Sequence, residues 1–379
     1  MPLRVGILSS EFLQPAVTRI GGFGWGAARA AEVLRTAGDE PLFVCSDVEA
    51  MRDVPDVIAG VPLIAKRAGA LRFAHDLWRA RPDVLLSIDY RPSYDTALKA
   101  LPRTPLIVWV RDPRPPEDVE NIARIRIPGS AAGEVPRGLE RIDCTTLRPI
   151  VRTARMLRRR VMFGSPAPDA LTPKAPGTYG FDPGPLALLP NPIDVARQPG
   201  PTAPAPRVAF LARLDPYKRP WVFVELARAF PGVEFRMLGQ SHFSGPGSWE
   251  PRDLPPNVKL LGNLSGEDKL RELDAAWVLV STSAHEGLPV SFQEALASRT
   301  PLLACVDTER VTSRFGVYVG NFAGDGMAAL PSLRAGLARL LEDHQLRRRL
   351  GDEGRAWVSG CHTPQRFLEA FHALATGAA

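Results

Sequence analysis

Two glutamates with seven residues between them follow an apolar run in the second half of the sequence. Glu286 and Glu294 lie in the segment His-Glu-Gly-Leu-Pro-Val-Ser-Phe-Gln-Glu-Ala, which comes after Val-Leu-Val-Ser. Gly287 and Pro289 predict that a helix begins here, because glycine permits a tight approach and proline favours the first helical position. Eight residues at a rise of about 1.5 Å span at most about 12 Å. The two carboxylates therefore suit hydroxyl groups at opposite ends of one extended ligand.

The start of this predicted helix also suits an anion. It is formed by the backbone of Gly287, Leu288, Pro289 and Val290. Free amide groups at a helix start and the helix dipole both favour negative charge. We therefore expect phosphate groups to lie between the two carboxylate contacts.

Two basic residues follow a different predicted strand. Arg213 and Lys218 lie in the loop Ala-Arg-Leu-Asp-Pro-Tyr-Lys-Arg-Pro, and ligands of open α/β sheets bind at the carboxyl ends of strands. Arginine binds phosphate as a planar fork and lysine as a point charge, so the pair suits a diphosphate. Arg219 is expected to face solvent. Together the four side chains suit a nucleotide-sugar, with hydroxyls at both ends and a diphosphate between them.

Alternating strands and amphipathic helices predict an α/β fold with two parallel sheets. The first half has candidate strands at 4–9, 41–45, 84–88, 105–110 and 161–164, with a helix at 26–37. The second half has candidate strands at 207–211, 234–238, 258–261, 277–281 and 301–304, with a helix at 221–230. The stretch 165–206 is rich in proline and glycine, and we expect a domain boundary within it because proline interrupts a sheet.

These segments resemble the family 4 glycosyltransferases of the GT-B fold. The resemblance rests on Gly21 and Gly22 before the first helix, on Arg213 with Lys218, and on the spacing of the two glutamates. It implies two Rossmann-like domains facing a central cleft. Residues 1–190 with 362–379 would form the acceptor-binding domain and 191–361 the domain that binds the nucleotide-sugar. The segment 363–374 looks like the family's last helix, which crosses back onto the first domain.

The resemblance also implies a role for each residue. Glu286 would contact the donor sugar, Glu294 the ribose, and Arg213 with Lys218 the diphosphate. The reaction would be the retaining transfer of a hexosyl group from a UDP- or GDP-sugar to a hydroxyl of a small-molecule, glycan or lipid-linked acceptor. No Asp-x-Asp motif occurs, so we expect no metal site and no cofactor besides the nucleotide-sugar co-substrate.

One position departs from the family pattern. A histidine commonly follows a strand of the first domain near the donor sugar, but here Arg111 and Asp112 follow Val-Trp-Val. Two interpretations are open: the pair positions sugar or acceptor, with Asp112 able to take a proton, or the two residues pair with each other as structure.

Three glycine-containing segments are expected to contribute through their backbones. Gly21 and Gly22 predict a flexible loop that approaches donor phosphate or acceptor. Gly239, Gly262 and Asn263 are expected near the nucleotide base. The run from 21 to 26 superficially resembles a dinucleotide-binding fingerprint, but about ten residues separate it from the first strand. A nicotinamide enzyme is therefore the weakest of the alternatives.

Composition and charge limit the classes of partner that this protein can bind. The net charge is +6, concentrated in the first half and partly in an arginine run at 152–160 on a predicted helix. This run predicts either a solvated helix face or a surface that contacts phosphate, an anionic acceptor or, weakly and peripherally, a membrane. No nucleic-acid-binding module is recognisable, the four cysteines have no paired spacing, and no apolar stretch is long enough to span a bilayer. We expect a cytoplasmic protein.

Two further alternatives share the fold. The chain could be a nucleotide-sugar epimerase or hydrolase, or a protein that binds the donor without turnover. Incubation with labelled UDP- and GDP-sugars distinguishes the transferase, the epimerase or hydrolase, and the protein without turnover by their products.

Overall fold

The structure is a computed structural model that describes residues 2–12, 21–47, 54–130, 134–139 and 142–377. The chain forms two compact units. The first contains residues 1–115, 142–192 and 362–379, and the second contains 116–141 and 193–361. Residues 116–141 therefore belong with the second unit, whereas the sequence analysis placed them in the first.

The first unit is built on an eight-stranded sheet in the order β3-β4-β2-β1-β5-β6-β7-β8. Its strands are parallel except for the antiparallel pair β3–β4. The strands are β1 (Arg4–Leu8), β2 (Glu40–Cys45), β3 (Val57–Ile58), β4 (Val61–Ala65), β5 (Val84–Ile88), β6 (Leu106–Trp109), β7 (Val161–Ser165) and β8 (Ala187–Leu188). The helices are α1 (Gly22–Thr36), α2 (Ala70–Ala80), α3 (Asp95–Ala100), α5 (Leu147–Met156), α6 (Pro168–Leu171), α7 (Ala175–Tyr179) and α14 (Pro364–Thr376).

The second unit is built on a six-stranded parallel sheet in the order β11-β10-β9-β12-β13-β14. Its strands are β9 (Arg207–Leu211), β10 (Glu234–Leu238), β11 (Val258–Gly262), β12 (Val278–Ser281), β13 (Leu302–Ala304) and β14 (Gly316–Tyr318). Its helices are α4 (Pro116–Ala123), α8 (Pro220–Arg228), α9 (Gly266–Ala275), α10 (Val290–Ala297), α11 (Val311–Phe315), α12 (Leu330–Glu342) and α13 (His344–Cys361). The expectation of two parallel-sheet α/β units is confirmed.

The last helix, α14, packs into the first unit as expected. Phe367 and Phe371 are fully buried in its core, and the ring centroids of Trp109 and Phe367 lie 5.2 Å apart. The chain therefore returns to the first unit after completing the second.

Three local expectations were wrong. Helix α1 begins at Gly22 and not at residue 26, so Gly22 is helical and only Gly21 precedes the helix. Helix α5 ends at Met156, so the arginine run continues past it; Arg159 is buried and donates to the carbonyls of Leu98 and Thr104. The proline-rich stretch also contains β8, which extends the first sheet beside β7.

Within the described ranges, no helix is both long enough and apolar enough to cross a membrane.

The segment 116–139 joins the core of the second unit through isoleucines of α4 and the turn after it. Ile122, Ile125 and Ile127 are buried in the same cluster as Leu214 and Ala284. Apolar burial of this kind is the main stabilising term in a core. This part of the chain is therefore a structural element of the second unit, although β6 and α5 on either side of it belong to the first.

We predict that Ile125→Ala destabilises the second unit selectively. Truncating a fully buried isoleucine costs about 2–5 kcal/mol through lost burial and the cavity left behind. Hydrogen exchange should become faster in β9, β10 and β12 and stay unchanged in β1 and β5. Arg124→Ala, an exposed change on the same segment, is the control. Faster exchange in β1 and β5 instead would contradict the assignment of this segment.

Candidate functional site

The loop after β9 is fastened to the segment after β12. The amide of Ala284 donates to the carbonyl of Tyr217 over 2.8 Å. The hydroxyl of Thr282 donates to the carbonyls of Lys218 and Arg219, over 2.8 and 2.9 Å. Because β9 and β12 are neighbours in a parallel sheet, their carboxyl ends meet at one edge. These hydrogen bonds hold the loop that carries Arg213 and Lys218 next to the segment that carries Glu286.

Lys218 and Glu286 form an ion pair at this edge. Both side chains are largely buried, and the ammonium group lies 4.6 Å from the centre of the Tyr217 ring. Burial acts to lower the pKa of Lys218, but the Glu286 carboxylate and Tyr217 together outweigh this effect, so the net pKa is raised. Lys218 is therefore a cation in a site largely shielded from water.

Arg213 is held by three side chains of the same region. Its Nε lies 3.1 Å from Oδ2 of Asp215, its Nη2 donates to the Tyr217 hydroxyl, and its Nη1 lies 3.3 Å from Nδ1 of His242. Asp215 is buried. Tyr217 therefore contacts both Arg213 and Lys218, and each of these cations has a carboxylate partner, Asp215 and Glu286 respectively.

Asp215, Tyr217 and His242 were missed as supporting residues. The first two stand between Arg213 and Lys218 in the sequence, where the Asp-Pro-Tyr turn was the available signal. Arg219 was placed wrongly, since it is 2% exposed and not solvent-facing. Its backbone takes a left-handed conformation between the short 3-10 turn and α8, which directs the side chain inward.

Glu286 belongs to a segment restrained from several sides. The Thr308 hydroxyl donates to its carbonyl over 3.0 Å, and the Asn321 amide donates to the carbonyl of Ala284 over 2.9 Å. His285 is buried, and its Nδ1 lies 3.6 Å from Oδ2 of Asp118 on α4. The position of the Glu286 backbone is thus fixed by contacts within the second unit.

Glu294 lies inside α10, beyond the helix start. Pro289 is the residue before the helix and Val290 its first residue, one position later than the sequence predicted. Lys269 of α9 forms an ion pair with Glu294 over 2.7 Å, a contact that the residue spacing does not predict. Lysine therefore accompanies both glutamates of the motif.

Gly287 and Leu288 complete the turn between the two glutamates. Both residues are buried, directly before the first turn of α10. The first amide groups of a helix have no acceptor within the helix. The binding of phosphate by this turn stays a prediction.

Gly239 and Gly262 lie at the carboxyl ends of β10 and β11. The amide of Gly239 donates to the carbonyl of Gly262 over 2.7 Å. A Cβ on Gly239 would lie 1.8 Å from the carbonyl oxygen of Ala212, so only glycine fits this close approach. Asn263 follows and is exposed. These residues share the sheet edge with Arg213, and their contact with a nucleotide base stays a prediction.

The candidates of the first unit surround Asp89 at the end of β5. Asp89 accepts hydrogen bonds from the amides of Arg111 and Asp112 over 3.3 and 2.8 Å and from the Tyr179 hydroxyl over 3.1 Å. Burial raises the pKa of Asp89 against the opposing effect of its backbone hydrogen bonds. Asp89 therefore positions the backbone of the Arg111–Asp112 pair.

Arg111 and Asp112 each have another partner. Arg111 Nη1 donates to the Asn191 side chain over 2.7 Å, and Asp112 pairs with Arg114 over 2.6 Å. Burial lowers the pKa of Arg111 to about 10, so it remains charged at neutral pH. Its guanidinium lies 4.4 Å from the Trp109 ring centre, and a Cβ on Gly26 would approach it to 3.0 Å. The absence of a side chain at Gly26 thus leaves room for the Arg111 guanidinium against α1.

Gly21 and Gly22 stand at the start of α1, where the Gly24 amide donates to the Glu11 carboxylate over 3.3 Å. An internal carboxylate thus uses one of the donors that a bound phosphate would need. Among the described residues there is no cluster of three or more histidine, cysteine, aspartate or glutamate side chains that could bind a metal ion.

Part of the chain matches a known protein family. Residues 195–357, within the second unit, match the family model of glycosyl transferases group 1. A comparison with curated protein sequences finds no match. The matched residues include Arg213, Lys218, Glu286 and Glu294, so this part of the chain is similar to that family.

Solved structures share the fold along the whole chain. The Anabaena protein HepE in complex with UDP-glucose matches with a TM-score of 0.69 and 15% identity, over 99% of this chain and 100% of that one. Sucrose-phosphate synthase from Thermosynechococcus elongatus matches with a TM-score of 0.67 and 16% identity, over 99% and 97%. A glycosyltransferase from Rickettsia africae matches with a TM-score of 0.65 and 11% identity, over 99% and 98%. The fold is GT-B.

We predict that the Lys218–Glu286 pair shows strong coupling in stability. Lys218→Met alone or Glu286→Gln alone leaves a buried group without its partner, at a cost of about 3 kcal/mol. The double variant removes both charges and should be more stable than Lys218→Met. Urea unfolding of the three variants measures this coupling. Additive losses in the double variant would show that the two side chains do not interact.

Proposed function

We propose that the chain transfers a hexosyl group, with retention of configuration and without a metal ion, from a UDP- or GDP-sugar to an acceptor hydroxyl. The second unit would bind the donor and the first unit the acceptor. The observation that carries the proposal is the buried Lys218–Glu286 pair, with Arg213 in the same loop. HepE, which shares the fold, was solved with UDP-glucose, and this favours UDP among the donors.

Each side chain has a role in this proposal. Lys218 and Arg213 bind the diphosphate and stabilise the charge that builds on it as the bond to the anomeric carbon breaks. Glu286 accepts hydrogen bonds from sugar hydroxyls, and Glu294 accepts them from the ribose. The acceptor oxygen bonds to the anomeric carbon on the same face, and its proton passes to the departing phosphate. The enzyme then needs mainly to position both substrates.

Donor binding requires an exchange of partners at Lys218. Its ammonium group is neutralised by the Glu286 carboxylate. An arriving diphosphate offers Lys218 a new anionic partner, and the Glu286 carboxylate becomes available to sugar hydroxyls. Lys269 orients Glu294 in a similar way before ribose binds. The two ion pairs thus keep the carboxylates in place without leaving buried charge unpaired.

Arg111 and Asp112 are the proposed contacts of the first unit. They occupy the place of the histidine common in the family, and Asp89 fixes their backbone. The acceptor class and the cytoplasmic location stay predictions. An epimerase, a hydrolase or a donor-binding protein without turnover would use the same donor contacts.

We predict different effects for two variants. Glu294→Ala should weaken nucleotide-sugar binding by about tenfold or more, because charge-assisted hydrogen bonds contribute about 1.5–3 kcal/mol. Arg213→Ala should mainly lower kcat, by about 10²–10³, as expected for loss of a group that stabilises transition-state charge. Steady-state kinetics with the donor selected below measure both effects. Glu267→Ala and Arg252→Ala are exposed controls, and unchanged kinetics in both test variants would refute the assignment.

We also predict activity in excess EDTA. UDP, GDP and ADP are first ranked by thermal shift, since a ligand at 100 times its Kd adds about 2.7 kcal/mol of stability. Labelled sugars of the preferred nucleotide are then incubated with an acceptor panel, with and without EDTA. Sugar transferred equally in both conditions supports the proposal. A strict requirement for Mn²⁺ or Mg²⁺ contradicts the metal-independent mechanism, and epimerised or free sugar supports the alternatives.

A further inference from the structure

Three of the most exposed large apolar side chains lie on two helices of the first unit. Leu71 and Trp78 of α2 are 90% and 59% exposed, and Met156 at the end of α5 is 85% exposed. Scattered apolar residues are ordinary on protein surfaces, but residues gathered on one face indicate an interaction. The relative position of α2 and α5 therefore decides whether these three side chains belong to one surface.

Helices α2 and α5 lie on the same face of the first sheet. The crossovers leading to β5, β6 and β7 all move in one direction along the sheet, so their right-handed connections place α2, α3 and α5 on one side. Helix α3 contacts both α2 and α5. With packed helices about 8–10 Å apart, α2 and α5 run side by side at roughly 20 Å. Their outward sides together form a broad surface.

This surface is basic as well as apolar. On α5, Arg148, Arg152 and Arg155 recur at helical spacing on the exposed side, and the helix contains no acidic residue. On α2, Arg72 and Arg79 flank the stripe of Leu71 and Trp78. Within the residues that the structure describes, none of these five arginines forms an ion pair. We call the outward sides of α2 and α5 the α2–α5 face.

The acidic residues near the face are few. Asp76 of α2 lies 3.5 Å from His75, and Asp95 of α3 accepts from the Tyr90 hydroxyl and Lys99. Their charge does not balance the arginines. The positive potential of the α2–α5 face is therefore uncompensated.

Helix stability does not explain the pattern. Basic residues in the last turn favour the helix dipole, which accounts for Arg79 and Arg155. It accounts neither for Arg148 and Arg152, which lie further from the end of α5, nor for the exposure of Leu71, Trp78 and Met156. The combination of arginines with tryptophan and aliphatic side chains is typical of helices that lie in a membrane interface.

We propose that the α2–α5 face binds an anionic phospholipid surface. Arginine side chains are attracted to negatively charged headgroups, and Trp78, Leu71 and Met156 insert at the headgroup level. The two helices lie flat on the lipid, so that the whole face makes contact. This proposal does not depend on the transfer reaction.

The test is sedimentation of the full chain with vesicles of phosphatidylcholine alone or with one quarter phosphatidylglycerol. We expect binding to the anionic vesicles that falls as salt increases, and little binding to the neutral ones. Arg152→Glu with Arg155→Glu should weaken binding at least tenfold, and Leu71→Ser with Trp78→Ser several-fold. Arg252→Glu and Leu260→Ser, exposed changes in the second unit, should bind as the unmodified chain does.

Circular dichroism confirms that each variant is folded before its binding is compared. Equal binding to neutral vesicles, no binding to anionic vesicles, or binding unaffected by both pairs of changes would overturn the proposal. If the α2–α5 face bound an acidic protein and the chain did not bind vesicles, the proposal would also be overturned, and the face would be a site for a protein partner.

Discussion

The buried ion pair between Lys218 and Glu286 is the interaction on which the site depends. A lysine and a glutamate largely removed from water are tolerated only when each neutralises the other. The requirement that Lys218 and Glu286 neutralise each other fixes the distance between the loop after β9 and the segment after β12. The same pair also places a cation and a carboxylate where the proposed donor would need them. The stability of the protein and its proposed chemistry therefore both depend on the Lys218–Glu286 ion pair.

The elements around the pair explain how it is held. The Thr282 hydroxyl donates to the carbonyl of Lys218 at the end of the loop after β9. Thr308 and Asn321 donate to carbonyl groups of the segment that carries Glu286. Asp118 adds a contact to His285 from the segment 116–139, which the chain supplies from between β6 and α5. The second unit is therefore completed by residues 116–141, which precede its main part, residues 193–361, in the sequence.

Much of this was visible in the sequence. Each of the ten strands expected from apolar runs was found within one residue of its expected bounds, and Arg213, Lys218 and Glu286 lie in the loops after the neighbouring strands β9 and β12. The glycines at the start of α1 predict a loop, but the helix already begins at Gly22, and Gly26 packs closely against Arg111. The sequence also could not show which core α4 joins, because an amphipathic helix is compatible with either. Lys269 and the burial of Arg219 likewise depend on tertiary contacts and not on local spacing.

The central claim is that Lys218 binds the diphosphate while Glu286 binds the sugar. Isothermal titration of Glu286→Gln with the preferred nucleoside diphosphate, and separately with its nucleotide-sugar, tests this claim most directly. Because Glu286 competes with the diphosphate for Lys218, the variant should bind the nucleoside diphosphate at least as tightly as the unmodified chain and the nucleotide-sugar more weakly. A parallel loss of affinity for both ligands, or no change for either, would contradict the account.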